Sequence, residues 1–126
     1  MTDRTRIPPR SKFEEEIGFT RALRVKDRIV VAGTIDDRNP PAPDAGEQAD
    51  RIFELIAGYL EELGGGMEDV IRVRMFVTDI ADADTVSAAF SKHLKRTCPT
   101  GTLVAISALY RPEIKVEIEA EAVVAD

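Results

Sequence analysis

Lys115-Val116-Glu117-Ile118-Glu119-Ala120-Glu121-Ala122-Val123-Val124 alternates apolar and charged residues. Val116, Ile118, Ala120, Ala122 and Val124 fall on one side; Lys115, Glu117, Glu119 and Glu121 fall on the other. A period of two is that of a strand with one buried face. Val70-Ile71-Arg72-Val73-Arg74-Met75-Phe76-Val77-Thr78 repeats the pattern. There Ile71, Val73, Met75 and Val77 are expected inward, with Arg72, Arg74 and Phe76 opposite. Three glutamates in a row repel unless cations answer them, and the two arginines have the matching spacing. These rows pair across the sheet or across a subunit interface. The other reading is that one glutamate, held beside a pocket, acts as a base or orients a water. The residues alone leave both open.

The remaining elements follow outward from these strands. Residues 19–25 alternate, Lys26-Asp27 is a turn, and Ile29 to Gly33 is a short apolar run, which together predict a hairpin. Residues 36–46 carry three prolines and read as a loop. Ala49, Ile52, Phe53, Ile56, Leu60 and Leu63 recur at helical spacing until Gly64-Gly65-Gly66. Val86, Phe90 and Leu94 mark a second helix, capped by Asp82 or Asp84 and unable to continue past Pro99. Residues 102–109 read as a further strand. The order is β-β-α-β-α-β-β, an α+β fold with a mixed sheet and right-handed crossovers. Two helices cover one sheet face only. The other face, bearing Arg72, Arg74, Phe76 and the glutamates, predicts a homo-oligomer.

Length and composition set the limits. A chain of 126 residues fits one domain, and residues 1–16, polar and basic with Pro8-Pro9, are expected as a partly flexible tail. No apolar run is long enough to span a bilayer, and the N-terminal segment lacks the apolar middle of a secretory signal. Cys98 is the only cysteine, so no internal disulfide forms; a cytoplasmic location is expected and no membrane association. The net charge of −6 repels a phosphate backbone. Arginines and lysines lean to the N-terminal quarter, which keeps nucleic-acid binding as a minor reading, but no nucleic-acid partner is expected.

Standard catalytic signatures are mostly absent. His93 is the only histidine and lies near the end of the second helix beside basic residues, so a histidine triad or a histidine-rich metal site is hard to build, and an exposed helix histidine is expected. Cys98 as a nucleophile would need a base, which only His93 supplies. Gly64-Gly65-Gly66 follows a helix rather than preceding one, so it is a stop signal and not a phosphate cradle.

The order of segments resembles a known family. Ile17-Gly18-Phe19-Thr20-Arg21-Ala22, Val31-Ala32-Gly33-Thr34-Ile35, residues 69–79, Pro99-Thr100-Gly101-Thr102 and Val116-Glu117-Ile118-Glu119-Ala120 are similar to the Rid, or YjgF, family of reactive-intermediate deaminases. The resemblance covers about residues 17–124. It implies a chorismate-mutase-like protomer and a homotrimer with an inner β-barrel and three clefts between subunits. In the best-known branch those clefts hydrolyse imines and enamines, releasing ammonia, with no metal or organic cofactor.

Carried over by position, the resemblance makes Glu117 the residue that orients water. Gly33 and Leu103 would line the cleft through their backbones, and Ser87 stands where the family has an asparagine. Two positions depart from the deaminase branch. Gly101 stands where an arginine clamps the substrate carboxylate, and Phe19 stands where a tyrosine carries a hydroxyl. A charge-assisted hydrogen bond to a carboxylate is worth roughly 1.5–3 kcal/mol, so its loss points to a neutral or differently charged small-molecule ligand. Arg21, Arg72 or Arg74 would be the displaced cation. Phe19, Gly33, Thr34, Ser87, Gly101, Thr102, Leu103 and Glu117 are the expected cleft. Hydrolysis of a small imine is the first reading, a non-catalytic binding or regulatory trimer the second, and RNA cleavage the last.

Overall fold

The alternation that ends the sequence runs through the middle of a mixed sheet. The computed structural model describes residues 3–125. In chain order the elements are β1 (Arg4–Arg6), α1 (Lys12–Ile17), β2 (Ala22–Val25), β3 (Arg28–Thr34), α2 (Ala45–Glu62), β4 (Val70–Val77), α3 (Ala83–Leu94), β5 (Thr100–Ala105) and β6 (Val116–Val123). The six strands lie in the order β1-β2-β3-β6-β4-β5. Only β4 and β5 are parallel; all other neighbours are antiparallel. The expected β-β-α-β-α-β-β succession is present from β2 to β6, with β1 and α1 added in front.

Both additions fall largely within residues 1–16, the segment expected as a tail. β1 extends the sheet beside β2. Ile7 is buried, and the buried Glu14 carboxylate accepts hydrogen bonds from the Arg10 N–H and the Ser11 hydroxyl. Met1 and Thr2 of that expected tail lie outside the described residues.

One sheet face holds the core. Val116, Ile118, Ala120 and Ala122 pack with Val73, Met75 and Val77 under the apolar stripe of α2. α3 packs beside α2. Phe53 of α2 is fully buried, and truncating such a residue to alanine costs about 3–5 kcal/mol. α2 ends at Glu62, and two residues on the chain turns at Gly64, whose φ of 84° suits glycine. Arg24 Nη1 donates to the Leu63 carbonyl there at 2.7 Å.

Three local expectations change. Ile71, expected inward, is 44% exposed because the register shifts between Val70 and Arg72 and turns Val70 in instead; one extra residue flips the side-chain direction. β5 ends at Ala105 rather than Leu109, since its partner β4 ends at Val77. Asp82 occupies the start of α3 without making a side-chain cap; Asp79 makes one instead, accepting the Ala81 N–H at 2.9 Å in the preceding turn.

The second sheet face is open and mostly charged. Arg72 lies opposite Glu121, Arg74 opposite Glu119, and Phe76 opposite Glu117. Arg72 reaches Glu121 at 3.6 Å, and Arg74 reaches Glu119 at 3.4 Å. Arg28 also pairs with Glu121. Cross-strand pairing therefore accounts for Glu119 and Glu121. Among the described residues no helix is long and apolar enough to cross a membrane.

Candidate functional site

Glu117 differs from its two neighbours in the row. The residue facing it on β4 is Phe76, so no cation answers it across the strands. On its other side β3 carries a register irregularity between Val31 and Thr34. Gly33 lies in that irregularity, and a Cβ there would overlap the Glu117 carboxyl group. The carboxylate thus lies where a side chain at position 33 would be. Among the described residues it has no hydrogen-bond or ion-pair partner. Burial pushes its pKa up, repulsion from Glu119 adds to the rise, and the charge of Arg21 opposes it. A half-buried carboxylate held this way is a better proton acceptor than an ordinary one.

Arg21 borders the same spot. Its Nη1 donates to the Gly33 carbonyl at 3.3 Å, and its Nε lies 3.4 Å from Glu14. Its guanidinium sits 5.1 Å from the centre of the Phe19 ring. Thr34 is buried, and its hydroxyl donates to the Ala32 carbonyl at 2.8 Å, so that hydroxyl supports the irregular backbone. Phe19, Arg21, Gly33, Thr34 and Glu117 therefore come together in one chain. Sequence reasoning missed three companions: Glu14, which anchors Arg21, Phe13, which meets the Phe19 ring edge to face, and Tyr110, which meets Phe13 in the same way. Only the fold brings Tyr110, in the loop before β6, to α1.

The other expected residues form a separate group. Gly101, Thr102 and Leu103 lie on β5 opposite Val73, Arg74 and Met75. β4 separates them from β6, so two strand spacings, about 10 Å, lie between the groups. Within one chain, residues 99–102 are not beside Glu117. A Cβ on Gly101 would meet Phe90 at 3.4 Å, an ordinary contact. Thr102 is exposed, whereas Leu103 leans on the core. Ser87 is exposed on α3. Arg72 and Arg74 are committed to glutamates.

His93 corrects the expectation of an exposed helix histidine. Its Nε2 lies 2.6 Å from Asp50 Oδ1 on α2, and its ring packs against Phe53 with centroids 5.4 Å apart. Hydrogen bonding to His93 lowers the pKa of Asp50, helped by Lys92 despite partial burial. Cys98 is exposed after α3. Among the described residues no cluster of three or more His, Cys, Asp or Glu side chains could hold a metal.

Comparison with known proteins agrees with this architecture. The crystal structure of Rv2704, a member of the highly conserved YjgF/YER057c/UK114 family from Mycobacterium tuberculosis, is similar with a TM-score of 0.90 and 33% identity, covering 97% of this chain and 100% of that one. A Streptomyces coelicolor protein, SCO2049, is 32% identical over 120 residues, 93% of this chain and 90% of its own length. A RutC family protein from Pyrococcus abyssi is 30% identical over 118 residues, 86% of this chain and 89% of its own. Residues 10–124 match the family described as Endoribonuclease L-PSP. This chain belongs to that family, the YjgF or Rid family that its motifs resemble.

Proposed function

We infer that this protein is a homotrimer that hydrolyses a small imine or enamine in clefts between its subunits, with Glu117 as the base. The single observation behind this reading is Glu117 itself: half-buried, without a partner among the described residues, seated on Gly33 and with a raised pKa. The chemistry needs water and a proton carrier. Glu117 takes a proton as water adds to the C=N carbon and returns it to the nitrogen, giving a carbinolamine. It then carries the hydroxyl proton to the same nitrogen, so that the C–N bond breaks, ammonia leaves and the carbonyl forms, an enamine having first tautomerised to the imine. The proposed assembly joins the open sheet faces into an inner barrel. It would bring Thr102 and the Gly101 and Leu103 backbone of one subunit to the Glu117 group of the next. Exposed Val30 and Val104 on that face favour such burial.

Gly101 and Phe19 favour a second reading, a binding or regulatory trimer with the same cleft and no turnover. Neither residue supplies the charge or hydroxyl that would hold a carboxylate substrate in a reacting pose. RNA cleavage, which the family description raises, sits poorly with a net charge of −6 and a lone histidine committed to Asp50.

The test is ammonia release from imines generated in situ. Faster release than buffer that is lost in Glu117→Gln supports hydrolysis. Equal rates for the two proteins refute it. Thermal stabilisation by a metabolite without turnover supports the second reading.

A further inference from the structure

Glu14 on α1 is a carboxylate with almost no access to water, at 2% exposure. Burial pushes its pKa up, yet hydrogen bonds from the Arg10 N–H and the Ser11 hydroxyl, with the charge of Arg21, bring it below the ordinary value. Glu14 is therefore an anion in the folded protein at neutral pH. Its bonds to Arg10 and Ser11 hold the start of α1, and an uncharged amide oxygen would accept them equally. Among the described residues the charge itself answers only Arg21, at 3.4 Å.

Arg21 stands between two carboxylates. Its Nη1 donates to the Gly33 carbonyl, and the Glu117 carboxyl fills the space over Gly33. The guanidinium therefore lies at most about 10 Å from Glu117, a gap that a change of rotamer in so long a side chain closes. Yet the two form no ion pair, because Arg21 turns to Glu14. In the groove that Arg21 also lines, Asp36, Asp37, Glu54, Glu62 and Glu113 each have an arginine of their own. None of these five is free to take Arg21, whereas Glu117 has no partner among the described residues.

We propose that Glu14 is a positioning residue for the hydrolytic site: its charge holds Arg21 away from Glu117 and so keeps Glu117 free to act as a base. An arginine paired with Glu117 would favour the ionised carboxylate and weaken it as a proton acceptor. This deepens the hydrolytic reading and rests on it for any effect on turnover. The other surroundings of Glu117 bring no second cation to pairing distance. Glu119 on β6 is tied to Arg74 of β4, β4 presents Phe76, β3 presents Gly33 and Thr34, and Lys115 lies two residues before Glu117 without pairing to it.

The readout is the carboxyl carbon of Glu117, followed by NMR against pH in protein carrying labelled glutamate and assigned by its loss in Glu117→Gln. No substrate is needed. In Glu14→Gln, which keeps the shape and the acceptor, the Glu117 midpoint should fall by about 1 pH unit or more as Arg21 turns to it. In Glu14→Gln/Arg21→Gln it should return at least to the wild-type midpoint. An unchanged or raised midpoint in Glu14→Gln overturns the proposal, and so does a double variant that stays low. If Glu14→Gln does not fold, Arg21→Gln decides. A rise of less than about 1 pH unit supports a cation already held by Glu14, and a larger rise overturns it. Ammonia release at pH 7 should fall about threefold to tenfold in Glu14→Gln. No release from the wild type, with the midpoints as expected, would remove the hydrolytic reading and leave the placement of Arg21 standing.

Discussion

The carboxyl group of Glu117 occupies the volume that any side chain at Gly33 would take. Two strands that are far apart in sequence thereby fix one catalytic candidate by omission: β3 leaves a gap and β6 fills it. Gly33→Ala is expected to push the carboxylate out of its half-buried position. Imine hydrolysis should then fall about as far as in Glu117→Gln, with the melting temperature lowered only modestly. A Gly33→Ala enzyme with wild-type turnover would show that the packing of the two residues is irrelevant to the chemistry.

Glu117 should also leave a mark on stability. Its folded-state pKa is raised above 4.5, so the folded protein holds this proton more tightly than the unfolded chain. Stability then falls as pH rises from about 4.5 through the folded value, because ionisation is costlier in the half-buried site. Glu117→Gln removes that cost. Melting temperatures across this range should show the variant gaining on the wild type as pH rises, with no gain below about pH 4.

Replacing Gly101 tests the missing charge. The Cβ of a new residue would touch Phe90 at 3.4 Å without overlap, and glycine contributes little to a strand interior. Gly101→Arg should fold as well as the wild type. If the proposed cleft exists, the variant should bind carboxylate-bearing ligands about tenfold to a hundredfold more tightly, in line with roughly 1.5–3 kcal/mol for a charge-assisted hydrogen bond. Calorimetric titration with a 2-keto acid gives the answer, and an unchanged Kd would remove residue 101 from the cleft.

The open sheet face should govern assembly. Val30 and Val104 are exposed there in the single chain. In the proposed trimer they are buried, and Val104→Asp would place an unpaired charge in the interface. Light scattering should give three times the 13.9 kDa chain mass for the wild type and a smaller species for Val104→Asp. A monomeric wild type would rule out the shared cleft.

Asp50 and His93 tie α2 to α3 at 2.6 Å. The pKa of Asp50 is lowered below 3.8, so its contribution is present above that pH and is lost as pH falls toward the folded value. Solvent reaches the pair, which limits it to about 1 kcal/mol or less. Asp50→Asn should therefore lower denaturant stability at pH 7 by about that amount, and the deficit should close in strong acid.

The sequence by itself determined what depends on neighbours along the chain. Alternation in residues 115–124 marked β6 and its buried side. The apolar spacing from Ala49 to Leu60 marked α2, and the order of elements gave the α+β succession. Matching rows of arginine and glutamate offered pairing across the sheet as one of two readings, and the register of β4 on β6 then set Arg74 opposite Glu119. Tertiary structure decided whatever depends on register or on distant partners. The irregularity beside Val70 turned Ile71 outward, since one extra residue reverses a period of two. A buried Glu14 and a free edge on β2 drew residues 4–17 into the fold, and no local pattern announces either. Asp50 made His93 a tether between helices. Above all, β4 came between Glu117 and Gly101, because strand order is set by how the whole sheet packs and not by the spacing of motifs.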